Sequence, residues 1–339
     1  MRILIVTDAW APQVNGVVRT LRAVSAELTK LGHQVALISP ERFRSLPCPT
    51  YPEIRLAMAG VAAIGEAIVA AAPDAIHIAT EGPLGLAARR WCVQRGRPFT
   101  TAYHTQFPEY VARRTGLPAE WFWRYIRWFH APAHAVLVST PTIARTLAAH
   151  GIRHTRHWGR GVDLTAFRPD AAPYPLFAAL PRPIQLYVGR VAVEKNVEAF
   201  LACDHPGSKV IVGDGPALTG LRSRFPKAHF LGALKGEELL SAYAGADVFV
   251  FPSHTDTFGL VMIEGLACGT PVAAFPVPGP IDILREDVGA MDADLDRAIA
   301  RALVRDRAAC ARYAATFSWR ESARQFLAAL APLELDRAA

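Results

Sequence analysis

Short runs of aliphatic and β-branched residues recur along this chain, each followed by a longer stretch with apolar residues at helical spacing. That alternation restricts the fold more than any other feature. ILIVT (residues 3–7), GVVRTLRAVSAELTKLG (16–32) and QVALISP (34–40) read as strand, helix and strand, a βαβ unit. AIHIAT (75–80), FTTAYHT (99–105) and AVLVST (135–140) are further strand candidates ahead of helical patterns. Their apolar runs are continuous, as strands covered by helices on both faces require. The first half therefore reads as an open parallel sheet.

The pattern restarts after the Gly- and Pro-punctuated stretch GRGVDLTAFRPDAAPYP (159–175), with QLYVGRV (185–191), KVIVG (209–213), AHFLG (228–232), DVFVFPS (247–253) and PVAAFPV (271–277). At 339 residues and 51% apolar, the chain has material for two cores. The expected organisation is an α/β domain over 1–165 and a second over 166–317. A last helical pattern within 318–339 either caps the second domain or returns to the first. Tandem domains of this kind leave a cleft, and ligands of open parallel sheets bind beyond the C-terminal strand ends.

Several classes are excluded. Cys48, Cys92, Cys203, Cys268 and Cys310 are scattered and odd in number, with no CxxC pair, so a reduced cytosolic chain without a disulfide framework or structural zinc is expected. MRILIVTDAW lacks a signal-peptide h-region and a cleavage site. The Ala-rich run at 59–72 contains Glu66 and is too short to span a bilayer. Charge is unevenly spread, with 19 Lys and Arg against 9 Asp and Glu in residues 1–160, and 18 against 21 in the remainder. A one-sided basic excess suits an anionic partner or an Arg-rich solvated surface.

The candidate chemistry sits where strands meet helices. Asn15 and Gly16 precede the first helix, outside any GxGxxG or GxxxxGKS pattern; they let a phosphate approach a helix N-terminus or simply make a turn. Arg190 and Lys195 in YVGRVAVEKN follow a strand, where two cations can clamp a diphosphate or stand as solvated charges. Gly213 and Gly215 in VGDGP make a sharp turn. PSHTDTFGLVMIEGLACGTPVA (252–273) is the densest run. Asp256 lies in its loop, Phe258, Gly259 and Leu260 lead into a helix, and Glu264 lies within that helix. Asp256 there faces a sugar or caps the helix. His104 in TAYHTQFPEY stands at a strand end, where an imidazole donates to a hydroxyl, handles a proton or serves the core. GLPAEWFWRYIRWFHAPAH (116–134) interleaves aromatics with Arg124 and Arg127, suited to a buried core or a membrane surface.

APQVNGVV, HTQFPEY, GRGVDLTAFRP, YVGRVAVEKN, VGDGP and PSHTDTFGLVMIEGLACGTPV, in that order and spacing, resemble family 4 glycosyltransferases over nearly the whole chain. The branch most resembled glycosylates diacylglycerol and related lipids. The resemblance implies a GT-B fold, two Rossmann-like domains facing each other across a cleft, and a retaining transfer of a hexose from a UDP- or GDP-sugar to a lipid acceptor. It further implies that Gly16, Arg190 and Lys195 lie at the donor diphosphate, Glu264 at the ribose and His104 near the transferred sugar. The family motif has Glu where this chain has Asp256, a residue that recurs in the lipid-acceptor branch. No metal or other cofactor is expected. Nucleic acid is not an expected partner, since no recognition module accompanies the basic half. The expected location is cytoplasmic, peripheral on the anionic inner face of the inner membrane.

Overall fold

The computed structural model describes residues 1–13, 15–48, 51–106, 108, 116 and 118–333. Phe107, Glu109 and Tyr110 of the HTQFPEY run lie outside them, as do Val14, Leu117 and residues 334–339. The chain divides into two compact units, Met1–Arg160 with Trp319–Ala339, and Gly161–Ser318.

In the first unit the strands are β1 (Arg2–Val6), β2 (Gln34–Ile38), β3 (Ser45–Cys48), β4 (Tyr51–Ala57), β5 (Ala75–Ile78), β6 (Thr100–Tyr103), β7 (Val136–Val138) and β8 (Thr155–His157). Six form a parallel sheet ordered β2-β1-β5-β6-β7-β8, and β3 and β4 pair as an antiparallel hairpin. Ile3, Leu4, Ile5 and Val6 are all fully buried. Ile3 and Ile5 pack with Leu21, Val24, Trp158 and Phe326, whereas Leu4 and Val6 pack with Ile64, Ile68, Leu84 and Trp91. A strand alternates its side chains between faces, so helices on both sides leave no polar position in the run. Phe326 belongs to the helix Trp319–Ala329, which completes the core of this first unit.

The second unit has β9 (Ile184–Val188), β10 (Ser208–Val212), β11 (His229–Gly232), β12 (Val248–Phe251), β13 (Val272–Ala274) and β14 (Gly289–Met291), all parallel, in the order β11-β10-β9-β12-β13-β14. Phe249 and Leu186 face one core, and Tyr187, Val248 and Val250 the other. The chain runs outward from β9 in one direction and from β12 in the other. The loops leaving these two adjacent strands therefore part, opening a crevice at their C-terminal ends.

Candidate active site

In the second unit the loops after β9 and β12 are tied together at that crevice. Lys195, in the 3₁₀ turn Val193–Lys195, places Nζ 2.6 Å from Oδ1 of Asp256. Asn196, with φ of 53°, donates from Nδ2 to the Pro252 carbonyl at 3.1 Å. Arg190 is set from below: the Tyr187 hydroxyl donates to its carbonyl at 2.8 Å, and its guanidinium meets Glu194 at 2.6 Å. Burial alone would raise the Asp256 carboxyl, but Lys195, the Ser253 hydroxyl and Arg190 hold it below the ordinary aspartate value. It is a carboxylate near neutral pH, and its partners lose it only at acid pH.

Glycine is demanded around Arg190 by close approach. A Cβ on Gly213 would lie 1.8 Å from the Gly189 carbonyl oxygen, and one on Gly215 would lie 2.4 Å from that of Val191. The VGDGP turn thus packs its backbone directly against the loop carrying Arg190. Phe258 is anchored in the core, and Gly259, with φ of 88°, turns the chain into the helix Leu260–Ala267. That helix has no side-chain cap, so the capping alternative for Asp256 is displaced by its bond to Lys195. Glu264 is buried in the same helix, with Oε2 accepting from the Tyr243 hydroxyl at 3.3 Å.

In the first unit Asn15 caps the helix Gly16–Lys30, its Oδ1 accepting from the Val18 amide at 3.0 Å. Gly16 is the first, exposed residue of that helix. Asp8, at the end of β1, accepts from the Thr80 hydroxyl and from the amides of Leu84 and Gly85, and so holds the start of the helix Pro83–Gln94. His104 follows β6. Its Nδ1 lies 3.3 Å from an Arg160 guanidinium nitrogen, and its ring meets Trp158 edge-on at 5.4 Å between centroids. Arg160, 6% exposed, also donates to the carbonyls of Trp158 and Gly159 at 2.6 and 3.1 Å.

Residues 14–166 match the family model described as Glycosyltransferase Family 4, and residues 182–305 match Glycosyl transferases group 1. A GDP-mannose-dependent alpha-mannosyltransferase of Mycolicibacterium smegmatis is 33% identical over 84% of this chain and 82% of its own. The chain belongs to glycosyltransferase family 4. An alpha-monoglucosyldiacylglycerol synthase of Streptococcus pneumoniae, 28% identical over 90% of this chain and 78% of its own, is a further relative of this family 4 enzyme. Sucrose-phosphate synthase of Thermosynechococcus elongatus has the same fold, with a TM-score of 0.76 at 23% identity over 96% of this chain and 97% of that one. This family 4 glycosyltransferase is a nucleotide-sugar-dependent hexosyltransferase of the GT-B class.

Among the residues singled out from sequence, the structure joins Lys195 to Asp256 and gathers Arg190, Gly213 and Gly215 around them. Tyr187, Asn196, Ser253 and Arg160 were not singled out. All four lie within the sequence motifs, Tyr187 and Asn196 in YVGRVAVEKN, Ser253 in PSHTDTFGLVMIEGLACGTPV and Arg160 in GRGVDLTAFRP, but their contacts are ones that only the fold creates.

The first unit of this glycosyltransferase carries an acid sensitivity. His77 on β5 is fully buried, and burial pushes its imidazole down to about 3. Burial first, then Arg160 and His77, hold His104 well below the ordinary histidine value. Both are neutral when folded and charge on unfolding below the ordinary histidine range, so their stabilisation is complete above it and declines as pH falls. Lowering pH from 7 to 5 is expected to cost about 2 kcal/mol through His77 alone, with His104 adding in the same direction. Urea midpoints at the two pH values check this; His77→Gln should flatten the decline, and an equal midpoint in wild type would refute it.

Proposed function

We propose that this enzyme moves a hexose from a UDP- or GDP-linked donor to the hydroxyl of a lipid such as diacylglycerol, with retention at the anomeric carbon and without a metal. The observation that carries the donor half is the convergence of Arg190, Lys195 and Asp256 at the crevice between β9 and β12. Breaking the bond between sugar and phosphate builds negative charge on the departing diphosphate. Arg190 and Lys195 stabilise it, joined by the amides at the start of the helix Leu260–Ala267. Asp256, held as an anion, positions the sugar, and the family resemblance gives His104 the role of meeting a hydroxyl of the transferred sugar. Glu264 holds the ribose hydroxyls.

In the front-face reaction the acceptor oxygen bonds to the anomeric carbon as the bond from that carbon to phosphate breaks. The acceptor proton passes to the departing phosphate oxygen. No enzymic nucleophile enters this scheme, in keeping with an Asp256 carboxylate already committed to Lys195.

The lipid half rests on the basic first 160 residues, on the diacylglycerol product named for the pneumococcal relative, and on one helix. Ala119–His130 buries Trp123, Ile126 and Phe129 but exposes Trp121, Arg124, Arg127 and Trp128. Indole rings beside guanidinium groups suit an anionic lipid interface of the kind found on the cytoplasmic face of a membrane. No helix among the described residues is long and apolar enough to cross one.

The test is product formation from a panel of UDP- and GDP-sugars, without added metal, presented with diacylglycerol in neutral or anionic vesicles at low and high salt. A glycosylated lipid from one donor, formed faster on anionic vesicles at low salt, is the expected result. Donor hydrolysis without lipid product would redirect the acceptor to a soluble glycan. Turnover indifferent to lipid charge and salt would end the interfacial reading.

A further inference from the structure

His104 has two chemically different uses, since a neutral imidazole either donates from a ring nitrogen or accepts a proton there. The contact with Arg160 decides between them. A guanidinium has five donors and no acceptor, so the Nδ1 it faces at 3.3 Å must present its lone pair. The hydrogen of the neutral ring then sits on Nε2.

Arg160 is itself held from a distant part of the chain. Gln325 Oε1 accepts from the Gly159 amide at 2.7 Å, and the Ser322 hydroxyl donates to the Gly159 carbonyl at 2.7 Å. Both backbone polar groups of Gly159, the residue before Arg160, are thus fixed by the helix Trp319–Ala329. The guanidinium, buried against the Trp158 ring at 4.6 Å, has little freedom left. Among the described residues, His77 on the adjacent strand β5 also acts on His104 and is itself neutral in the fold.

We infer that Arg160 is a positioning residue that locks His104 as its Nε2–H tautomer, making the ring a hydrogen-bond donor to a substrate oxygen and barring it from acid–base work. Ser322 and Gln325 hold Arg160 in place for this task. The inference rests on the reading that places His104 beside the transferred sugar.

Proton–nitrogen correlation spectra of the full-length protein with isotope-labelled histidine read the tautomer directly, with His104→Gln identifying the resonance. Nε2–H is expected in wild type and a mixed or Nδ1–H ring in Arg160→Met. In the same variant kcat should fall on the order of 10²-fold through misplacement of the ring, with the donor KM little changed. Its pH profile should show the His104 ionisation moved upward from wild type, though still below the ordinary histidine value because burial remains. Because a glutamine amide still supplies an N–H, His104→Gln should retain more turnover than His104→Ala.

Nδ1–H or a doubly protonated ring in neutral wild-type protein would overturn the inference whether or not the Arg160 variant folds. So would an unchanged tautomer and turnover in Arg160→Met. If the tautomer shifts as expected but His104→Ala turns over like wild type, the sugar-side reading of His104 fails while the hold of Arg160 on the ring stands.

Discussion

Lys195→Ala should lower kcat/KM by on the order of 10²–10³-fold on whichever donor the product assay selects, while the protein remains folded. The cation lost lies at the crevice where charge develops on the departing diphosphate, and no other lysine stands in the loops after β9 and β12. Its partner Asp256 keeps the Ser253 hydroxyl and the nearby Arg190. Removing Lys195 thus strands a carboxylate that retains some support, at a cost of about 1–3 kcal/mol. Its pKa should rise, because burial then acts on it with less opposition. Adding Asp256→Asn removes the stranded charge, so the double variant should regain stability without regaining turnover. Steady-state kinetics and melting temperatures of the three proteins make the comparison. Unchanged turnover in Lys195→Ala would sink the clamp and reduce the ion pair to a structural tie between two loops.

Gly213→Ala should be the most damaging conservative change in the second unit. Its Cβ would overlap the Gly189 carbonyl, which is backbone and has no rotamer to yield, and φ there is 141°. Gly189 donates to the Val212 carbonyl at 3.0 Å, and Gly213 donates to that of Gly232 at 2.7 Å. Moving either end breaks this ladder just where β9 hands the chain to Arg190. A loss of about 3 kcal/mol or more is expected from steric and backbone strain together, and surviving enzyme should show a raised donor KM. Gly220→Ala is the matched control, since that helical glycine has nothing within 4 Å of a Cβ. Wild-type stability and donor KM in Gly213→Ala would show that the two loops separate freely and do not fix Arg190.

Strands buried on both faces were readable because every position along them is apolar, as Ile3 to Val6 and Val248 to Phe251 illustrate. β8, the polar run Thr155–His157, and β14, Gly289–Met291, lack the continuous apolar run that made β7 and β13 readable at the same length of three residues. The hairpin of β3 and β4 was hidden for another reason. Pro47 and Pro52 interrupt its strands, and proline within a run argues against a strand unless the pairing is marginal. At the site, residue types were visible but their partners were not. Lys195 and Asp256 stand 61 positions apart, and Arg160 and His104 stand 56 apart. The same local pattern would arise for solvated charges, and only sheet order brings such residues together.

The return of Trp319–Ala329 to the first unit has a consequence for biosynthesis. The core formed by Ile3, Ile5, Leu21 and Trp158 is closed by Ala323, Phe326 and Leu330, residues that leave the ribosome after all of Gly161–Ser318. Vectorial synthesis ordinarily lets the domain made first finish first. Here the second-made unit is continuous in the chain and can complete its core while the first still presents an uncovered apolar face. The part of the enzyme that begins emerging earliest is the part that matures last, and through Gly159 the same late helix sets the groups around His104.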